Sequence, residues 1–354
     1  MLTHIEFENY RIFKKRQVLD IKPITLFFGK NNAGKSAVLK LPILGVSIMK
    51  SMEDTSNKGF ELKRHGITIA NTYRDLIFGR ASSVASFCFS NEQGNRIDYS
   101  FHVDLGKLIV DKTEIDIKVD GMNTLVDYIG PFRAEPDTDL RLDETVRKTS
   151  RPDGALTYQQ LIRDVNSTSH ILSDKVSQWY KQNFEGWGVY VDHSTTSTGE
   201  VYNVVMKINE ITTPIGDCGT GIKQSLPIVI RACQPAEEPT LVILEEPESH
   251  LNPAAHAELC QLIVDSTKED TNKRYLIETH SHTFILRLQR LLAEGKISPD
   301  DVALYFVQYN EGSSQLERIE MMPDGSIPQW PTGMFEEVMD EILAINNQRI
   351  LKRK

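Results

Sequence analysis

An eight-residue stretch, GKNNAGKS at residues 29–36, constrains this chain more than any other part of it. It fits the pattern G-x-x-x-x-G-K-[ST]. It follows an apolar β-type run, ITLFF, and opens a helical pattern that extends from about residue 34 to residue 52. Glycines let a backbone wrap around an anion so that its N–H groups face it, and a helix start adds partial positive charge. In that reading Lys35 reaches the β- and γ-phosphates of a nucleotide and Ser36 ligates Mg²⁺. The plain alternative is a glycine-rich turn before a helix, and the strand–loop–helix context argues against it.

Three later segments bear on the same chemistry. Residues 241–247, LVILEEP, read as a buried strand with two carboxylates at its C-terminal end, the end at which open α/β sheets bind ligands. Glu245 would hold Mg²⁺, directly or through water, and Glu246 would polarise an attacking water. A buried strand ending in a solvated acidic turn is the alternative. Residues 277–281, IETHS, end another strand with His280, which can hydrogen-bond a γ-phosphate or the attacking water. A lone histidine is otherwise structural or simply exposed. Residues 217–230, DCGTGIKQSLPIVI, place Gly219 and Gly221 at the start of an apolar helix; taken alone this reads equally as an ordinary glycine-capped helix start.

The remaining periodicities suggest an α/β core that is split along the chain. Strands are expected at 4–10, 17–21 and 24–28, a β-rich stretch over 84–119, helices near 154–165 and 168–183, and strands at 188–191 and 201–208. From residue 219 helix and strand alternate: 219–232, 240–245, 253–267, 274–278, 282–294 and 301–308. That βαβ order predicts a parallel sheet. The expected division is 1–60 for the N-terminal lobe of the core, 61–200 for an inserted β-then-α lobe, 201–310 for the C-terminal lobe and 311–354 for a β/helical extension. The extension ends in an amphipathic helix from about Phe335 with a basic end, Arg349, Lys352, Arg353 and Lys354.

Composition excludes several classes. With 354 residues the chain is long enough for about two domains, and 40% apolar residues suffice for a real core. Its apolar runs fall far short of the roughly 18 residues of a membrane span, and the N-terminus lacks the pattern of a signal peptide. A net charge of −9 argues against coating nucleic acid by bulk charge. Cys88, Cys218, Cys233 and Cys260 are far apart with no CxxC pair, which fits a reducing cytoplasm and neither disulfide staples nor a zinc site.

Together these segments resemble the ATP-binding head of the ABC class, of the SMC, RecF and especially the OLD type: an ABC-type P-loop NTPase head with a mixed or parallel sheet, N-terminal antiparallel strands and a β-then-α insertion. The G-x-N-N-x-G-K-S form and the order Walker A, long insertion, signature, Walker B, His loop carry the resemblance, over roughly 1–50 and 200–310. Residues 128–136, YIGPFRAEP, resemble a recurrent element of small OLD-like ATPases. The resemblance implies ATP and Mg²⁺ as cofactors. It implies that Gly29, Asn31, Asn32, Ala33, Gly34, Lys35, Ser36 and Ala37 contact nucleotide, that Ser36 and Glu245 serve the metal, and that Glu246, Lys35 and His280 serve catalysis. Arg11, in Asn9-Tyr10-Arg11, matches an arginine that touches nucleotide. Ser249-His250-Leu251-Asn252 matches the D-loop, and Gly219, Thr220, Gly221 and Gln224 fall in the signature that closes the site of a second subunit. The signature lacks a Ser-Gly-Gly-Gln/Glu core, and no Q-loop glutamine stands out; residues 73–77 fall in its place.

The resemblance therefore implies an ATPase that dimerises, or forms a higher homo-oligomer, through its ATP sites. Only 74 residues follow His280, with no D-x-D pair for a Toprim nuclease, and the interrupted insertion leaves no heptads for coiled-coil arms. The sequence thus favours a cytoplasmic regulatory or sensor ATPase of a prokaryotic anti-phage defence system, controlling a separate effector such as a nuclease or toxin. The alternative is a RecF-like repair ATPase that binds DNA through clusters such as Lys14-Lys15-Arg16. A small-molecule kinase is disfavoured by the paired glutamates and the late signature.

Overall fold

The computed structural model describes residues 1–53, 59–116, 124–143 and 149–331. In chain order the elements are β1 (Leu2–Glu8), β2 (Gln17–Asp20), β3 (Ile24–Phe28), α1 (Lys35–Leu39), α2 (Leu41–Glu53), β4 (Lys63–Arg64), β5 (Ile67–Thr68), β6 (Ala85–Asn91), β7 (Arg96–Asp104), β8 (Lys107–Asp116) and β9 (Leu125–Ile129). There follow α3 (Leu156–Val165), α4 (Ile171–Asn183), β10 (Gly188–Thr196), β11 (Gly199–Ile208), β12 (Ile211–Pro214), α5 (Thr220–Cys233), β13 (Thr240–Glu245), α6 (Pro253–Glu269), β14 (Lys273–Glu278), α7 (His282–Ala293), β15 (Val302–Asn310) and β16 (Ser313–Ile319). None of the described helices is long and apolar enough to cross a membrane.

The central sheet has the order β16-β15-β3-β14-β13-β9 and is parallel except for β16 at its edge. Every residue of β3 and β13 is buried, as expected of strands covered on both faces. Their side chains still alternate. Leu26, Phe28, Val242 and Leu244 enter one core with α3 to α7, whereas Phe27, Leu241 and Ile243 enter a second core. That second core is roofed by α2 and by an antiparallel sheet of order β2-β1-β6-β7-β8. Edge-to-face aromatic pairs such as Phe7–Phe13 and Tyr10–Phe87 fill it.

The helix expected over 34–52 is broken in two at Lys40. Pro42 has no N–H to give a preceding turn, and it falls in the first turn of α2, where none is needed. The segment 61–200, expected as one inserted lobe, is divided in its strand pairing. β6 pairs with β1, so β6 to β8 complete the N-terminal antiparallel sheet, and β9 pairs in parallel with β13 inside the core sheet. The apolar faces of these strands are buried where they meet existing sheets, and alternation within a strand does not say which sheet that is. β9 and β12 are not among the expected strands, whereas β15 matches the strand expected at 301–308 and β16 falls in the β part of the extension expected from 311. The terminal helix expected from Phe335, with Arg349, Lys352, Arg353 and Lys354, lies outside the described residues.

Three buried charged residues tie these elements together. Asp127 of β9 accepts Arg231 Nε of α5 at 2.5 Å and the backbone N–H and hydroxyl of Ser150 at 2.7 and 3.0 Å. Both partners of the ion pair are almost wholly buried. Arg231→Met would leave Asp127 charged and unpaired, and should destabilise the fold by about 3–5 kcal/mol in urea unfolding. Lys273, at the start of β14, donates Nζ–H to the Ala232 carbonyl at 2.9 Å, and burial, reinforced by Arg231, lowers its ammonium to about 8. Between pH 8 and its ordinary 10.5 the unfolded chain holds this proton and the native one does not, so this group's contribution to stability rises with pH across that window, against the buried thiols of Cys88, Cys233 and Cys260, whose raised values act the other way. The urea midpoint of the wild type should therefore gain on that of Lys273→Met between pH 8 and 10.5.

Candidate nucleotide site

The loop between β3 and α1 is shaped by three left-handed residues. Gly29 has φ 144°, and a Cβ there would overlap the Val307 carbonyl oxygen of the neighbouring strand. Gly34 has φ 107°, and its Cβ position lies 2.8–3.0 Å from the side chains of Ile12 and Phe13. Between them Asn32, φ 62°, turns the exposed crest formed with Asn31. Ala33 is buried beneath it, and the Ala37 carbonyl accepts the Tyr10 hydroxyl at 3.0 Å. Only glycine combines such dihedrals with so little space.

Lys35 is 3% exposed and folds back over its own loop. Its Nζ donates to the carbonyls of Gly29 at 2.9 Å and Lys30 at 3.0 Å and lies 3.6 Å from Glu278 Oε1. The other carboxylate oxygen of Glu278 accepts the Ser36 hydroxyl at 2.8 Å. Strand order explains the meeting. β14 lies between β3 and β13, and Glu278 is in register with Phe27 on one side and Glu245 on the other. The residue that ends β14 therefore stands between the loop and the acidic pair.

Glu245 and Glu246 have different surroundings. Glu245 is buried, and its Oε1 accepts the Tyr128 hydroxyl of β9 at 2.5 Å. Glu246 is half-buried with φ 45°, an uncommon conformation for a residue with a side chain, and its N–H is held by the Glu278 carbonyl at 2.8 Å. Ser249 closes that turn: its N–H donates to the Glu246 carbonyl at 3.0 Å and its hydroxyl to the Glu246 carboxylate at 2.9 Å. Glu248, buried, accepts the Thr279 hydroxyl and the His280 N–H through Oε1, both at 2.7 Å. The His280 side chain is exposed, and ligand atoms of Glu246, Glu278 and His280 all lie within 4.8 Å of one another.

Burial pushes the carboxyls of Glu245 and Glu278 above the ordinary range, although Tyr128 and Lys35 respectively pull them back. Burial likewise lowers the Lys35 ammonium against the pull of Glu278. Lys35 thus faces Glu278 and Glu246, while Lys40 and Arg133 act on Glu245. Hard oxygen donors with excess negative charge suit Mg²⁺, so the residues present fit that ion.

The signature residues belong to a neighbouring face. Gly219 and Thr220 are exposed at the start of α5. Gly221 packs so closely on the turn after β13 that a Cβ would lie 2.6 Å from the His250 carbonyl oxygen. The Gln224 side chain is engaged within its own chain, donating to the Arg133 carbonyl at 2.9 Å and accepting the Arg133 N–H at 3.2 Å. The Arg11 guanidinium is also engaged, donating to the Ile69 carbonyl and, through Nε, to the Tyr10 hydroxyl at 3.2 Å. The Arg11 N–H donates to Leu76, within the segment that stands in the Q-loop position. Sequence reasoning missed Glu278, Tyr128, Arg133 and Glu248 as site residues. Glu278 was legible as an acid one position before Thr279-His280 but meant nothing until β14 was known to be central.

Comparison with known proteins bears on the fold. A domain family described as "AAA domain, putative AbiEii toxin, Type IV TA system" matches residues 208–287, which include α5, β13, β14 and His280. A family described as "Protein of unknown function (DUF3696)" matches residues 297–345. No curated protein shows significant similarity. The crystal structure of an SMC head bound to the C-winged helix domain of ScpA is similar at 14% identity and TM-score 0.52, covering 90% of this chain and 97% of that one. An SMC head domain with an extended coiled coil, bound to the C-terminal domain of ScpA derived from Pyrococcus furiosus, is similar at 12% identity and TM-score 0.54, covering 98% and 99%. At these identities the likeness is one of fold, and the fold is that of an SMC-like, ABC-type P-loop ATPase head.

Proposed function

We propose that this chain is a Mg²⁺-dependent ATPase that dimerises around ATP and serves as a cytoplasmic regulatory subunit of an anti-phage defence system, controlling a separate effector. One observation carries the ATPase reading. Lys35 and Ser36 both reach Glu278, which stands in register beside Glu245 and holds the Glu246 N–H, so loop and acidic pair share one sheet edge although Lys35 and Glu246 are 211 positions apart. The match of residues 208–287 to a family described by an AbiEii toxin and a type IV toxin–antitoxin system supports the defence role. The binding of ScpA domains by the similar SMC heads supports a protein partner.

The groups divide the work as follows. The backbone of residues 29–34 wraps the phosphates, and Lys35 exchanges its Glu278 contact for them. Bound Mg²⁺, held by Ser36 and by Glu245 or Glu278, would neutralise charge developing on the β- and γ-oxygens. Glu246, fixed by Ser249, takes the proton of the water that attacks the γ-phosphorus as the bond to the β-phosphate oxygen breaks. His280 hydrogen-bonds the γ-phosphate from the exposed side. Gly219, Thr220 and Gly221 of a second copy close the site, so ATP binding becomes dimerisation energy.

A second reading, a RecF-like DNA clamp, rests on Lys14, Lys15 and Arg16, all exposed in the turn before β2. Under that reading ATP strengthens DNA binding and affinity falls steeply with salt.

Glu246→Gln should bind ATP like the wild type and lose turnover; normal phosphate release by this variant would overturn the assignment. Removing the Glu278 charge, 3.6 Å from Lys35 Nζ, takes away an internal competitor of phosphate. In EDTA, Glu278→Gln should therefore bind ATP on the order of tenfold more tightly than the wild type by titration calorimetry. Equal affinities would show that the contact does not oppose nucleotide.

A further inference from the structure

The strap at residues 130–136, GPFRAEP, leaves the end of β9 and joins α5 to the turn after β13. Its centre is Arg133, only 5% exposed. On one side Nη2 donates to the carbonyls of Glu245 at 2.6 Å and Glu246 at 2.9 Å. On the other, the main chain of Arg133 is clamped by both ends of the Gln224 amide, one turn into α5. Neighbouring contacts hold the strap in place: Glu135 pairs with Lys223 of α5 at 2.7 Å, and the Ala134 carbonyl accepts the Tyr158 hydroxyl at 2.9 Å.

The arrangement is expensive. Arg133 Nε and Nη1 are buried without a hydrogen-bond partner, and burial lowers the guanidinium to about 10 even though Glu248, Glu246 and Glu245 pull the other way. A core residue chosen for packing alone would not carry such a charge. What the charge accomplishes is specific: it grips the two carbonyls that bracket the left-handed Glu246.

We propose that Arg133 is a positioning residue that ties Glu246 to α5, so that whatever seats on the exposed Gly219–Thr220 end of that helix sets the geometry of the base. The inference rests on the ATPase reading above, with Glu246 as the base. The tie has a side-chain half, Arg133 to the Glu245 and Glu246 carbonyls, and a main-chain half, Arg133 to Gln224. Either half can be cut separately.

The test uses the full chain with Arg133→Lys, Gln224→Leu and the double variant. Lysine keeps the charge on a side chain one bond shorter, which draws its nitrogen back from the place where Nη2 meets both carbonyls. Leucine leaves the guanidinium in place and removes the amide clamp between α5 and the Arg133 main chain, leaving the Glu135–Lys223 pair between them, so a result remains if the Arg133 variant fails to fold. ATP affinity is measured with a fluorescent analogue and kcat by phosphate release. Each single variant should lower kcat by about tenfold or more while ATP affinity stays within about twofold, and the double variant should be no worse than the poorer single one. Wild-type kcat in Gln224→Leu, losses confined to ATP affinity, or fully additive losses would each overturn the tie. Failure of the wild-type chain to hydrolyse ATP at all would instead overturn the reading beneath it, and the tie with it.

Discussion

The site depends on the position of β14. A parallel sheet presents all its strand ends at one edge, but only neighbours place their terminal side chains within contact distance. Because β14 separates β3 from β13, the P-loop and the acidic pair are spaced one strand apart and the gap is filled by a single residue, Glu278. Its carboxylate touches Ser36 and faces Lys35, while its carbonyl holds the N–H of Glu246. One residue thereby contacts both halves of the candidate site through its side chain and its backbone.

That placement sets the electrostatics. Burial opposes every charge gathered here, and it raises the carboxyls of Glu245 and Glu278 and lowers the Lys35 ammonium despite their opposite-charge neighbours. In the proposed reading this opposition is useful. A triphosphate arriving with a divalent cation would bring negative charge to Lys35 and positive charge to the glutamates, each meeting its opposite. Neither alone would satisfy the site.

The local parts of this arrangement were legible in the sequence because they are encoded over a few residues. The glycines and Lys35 of the loop, the apolar run before Glu245-Glu246, and His280 after a strand each carry their own pattern. The parallel core also followed from the alternation after residue 219. Strand neighbours did not. The pattern of β6 fits any sheet with one buried face, so its pairing with β1 could not be told from an independent lobe, and β9 gave no sign that it borders β13. The roles of Glu278 and Arg133 depend on those neighbours. Arg133 lies in the 128–136 element that the sequence singled out by resemblance, but its grip on the Glu245 and Glu246 carbonyls shows only once β9 is seen to deliver it beneath them.

The turn after β13 is where these non-local contacts converge. Gly221 presses α5 onto the His250 carbonyl. His256 of α6 joins the Leu251 carbonyl to the Ser281 hydroxyl, at 3.0 and 2.8 Å, and Ser281 in turn caps α7 through the Phe284 N–H at 3.1 Å. Glu248 holds the backbone of His280. A displacement of α5 would therefore be felt at the Glu246 turn and, through Glu248 and His256, at the residues that follow β14. Such a device needs rigid links with few alternatives. Backbone carbonyls gripped by buried side chains, and a glycine with no room for a methyl group, provide them better than exposed salt bridges would. The exposed start of α5 is linked to this edge through Gln224 and Arg133, so in the proposed reading its engagement acts on the Glu246 turn as well as on affinity.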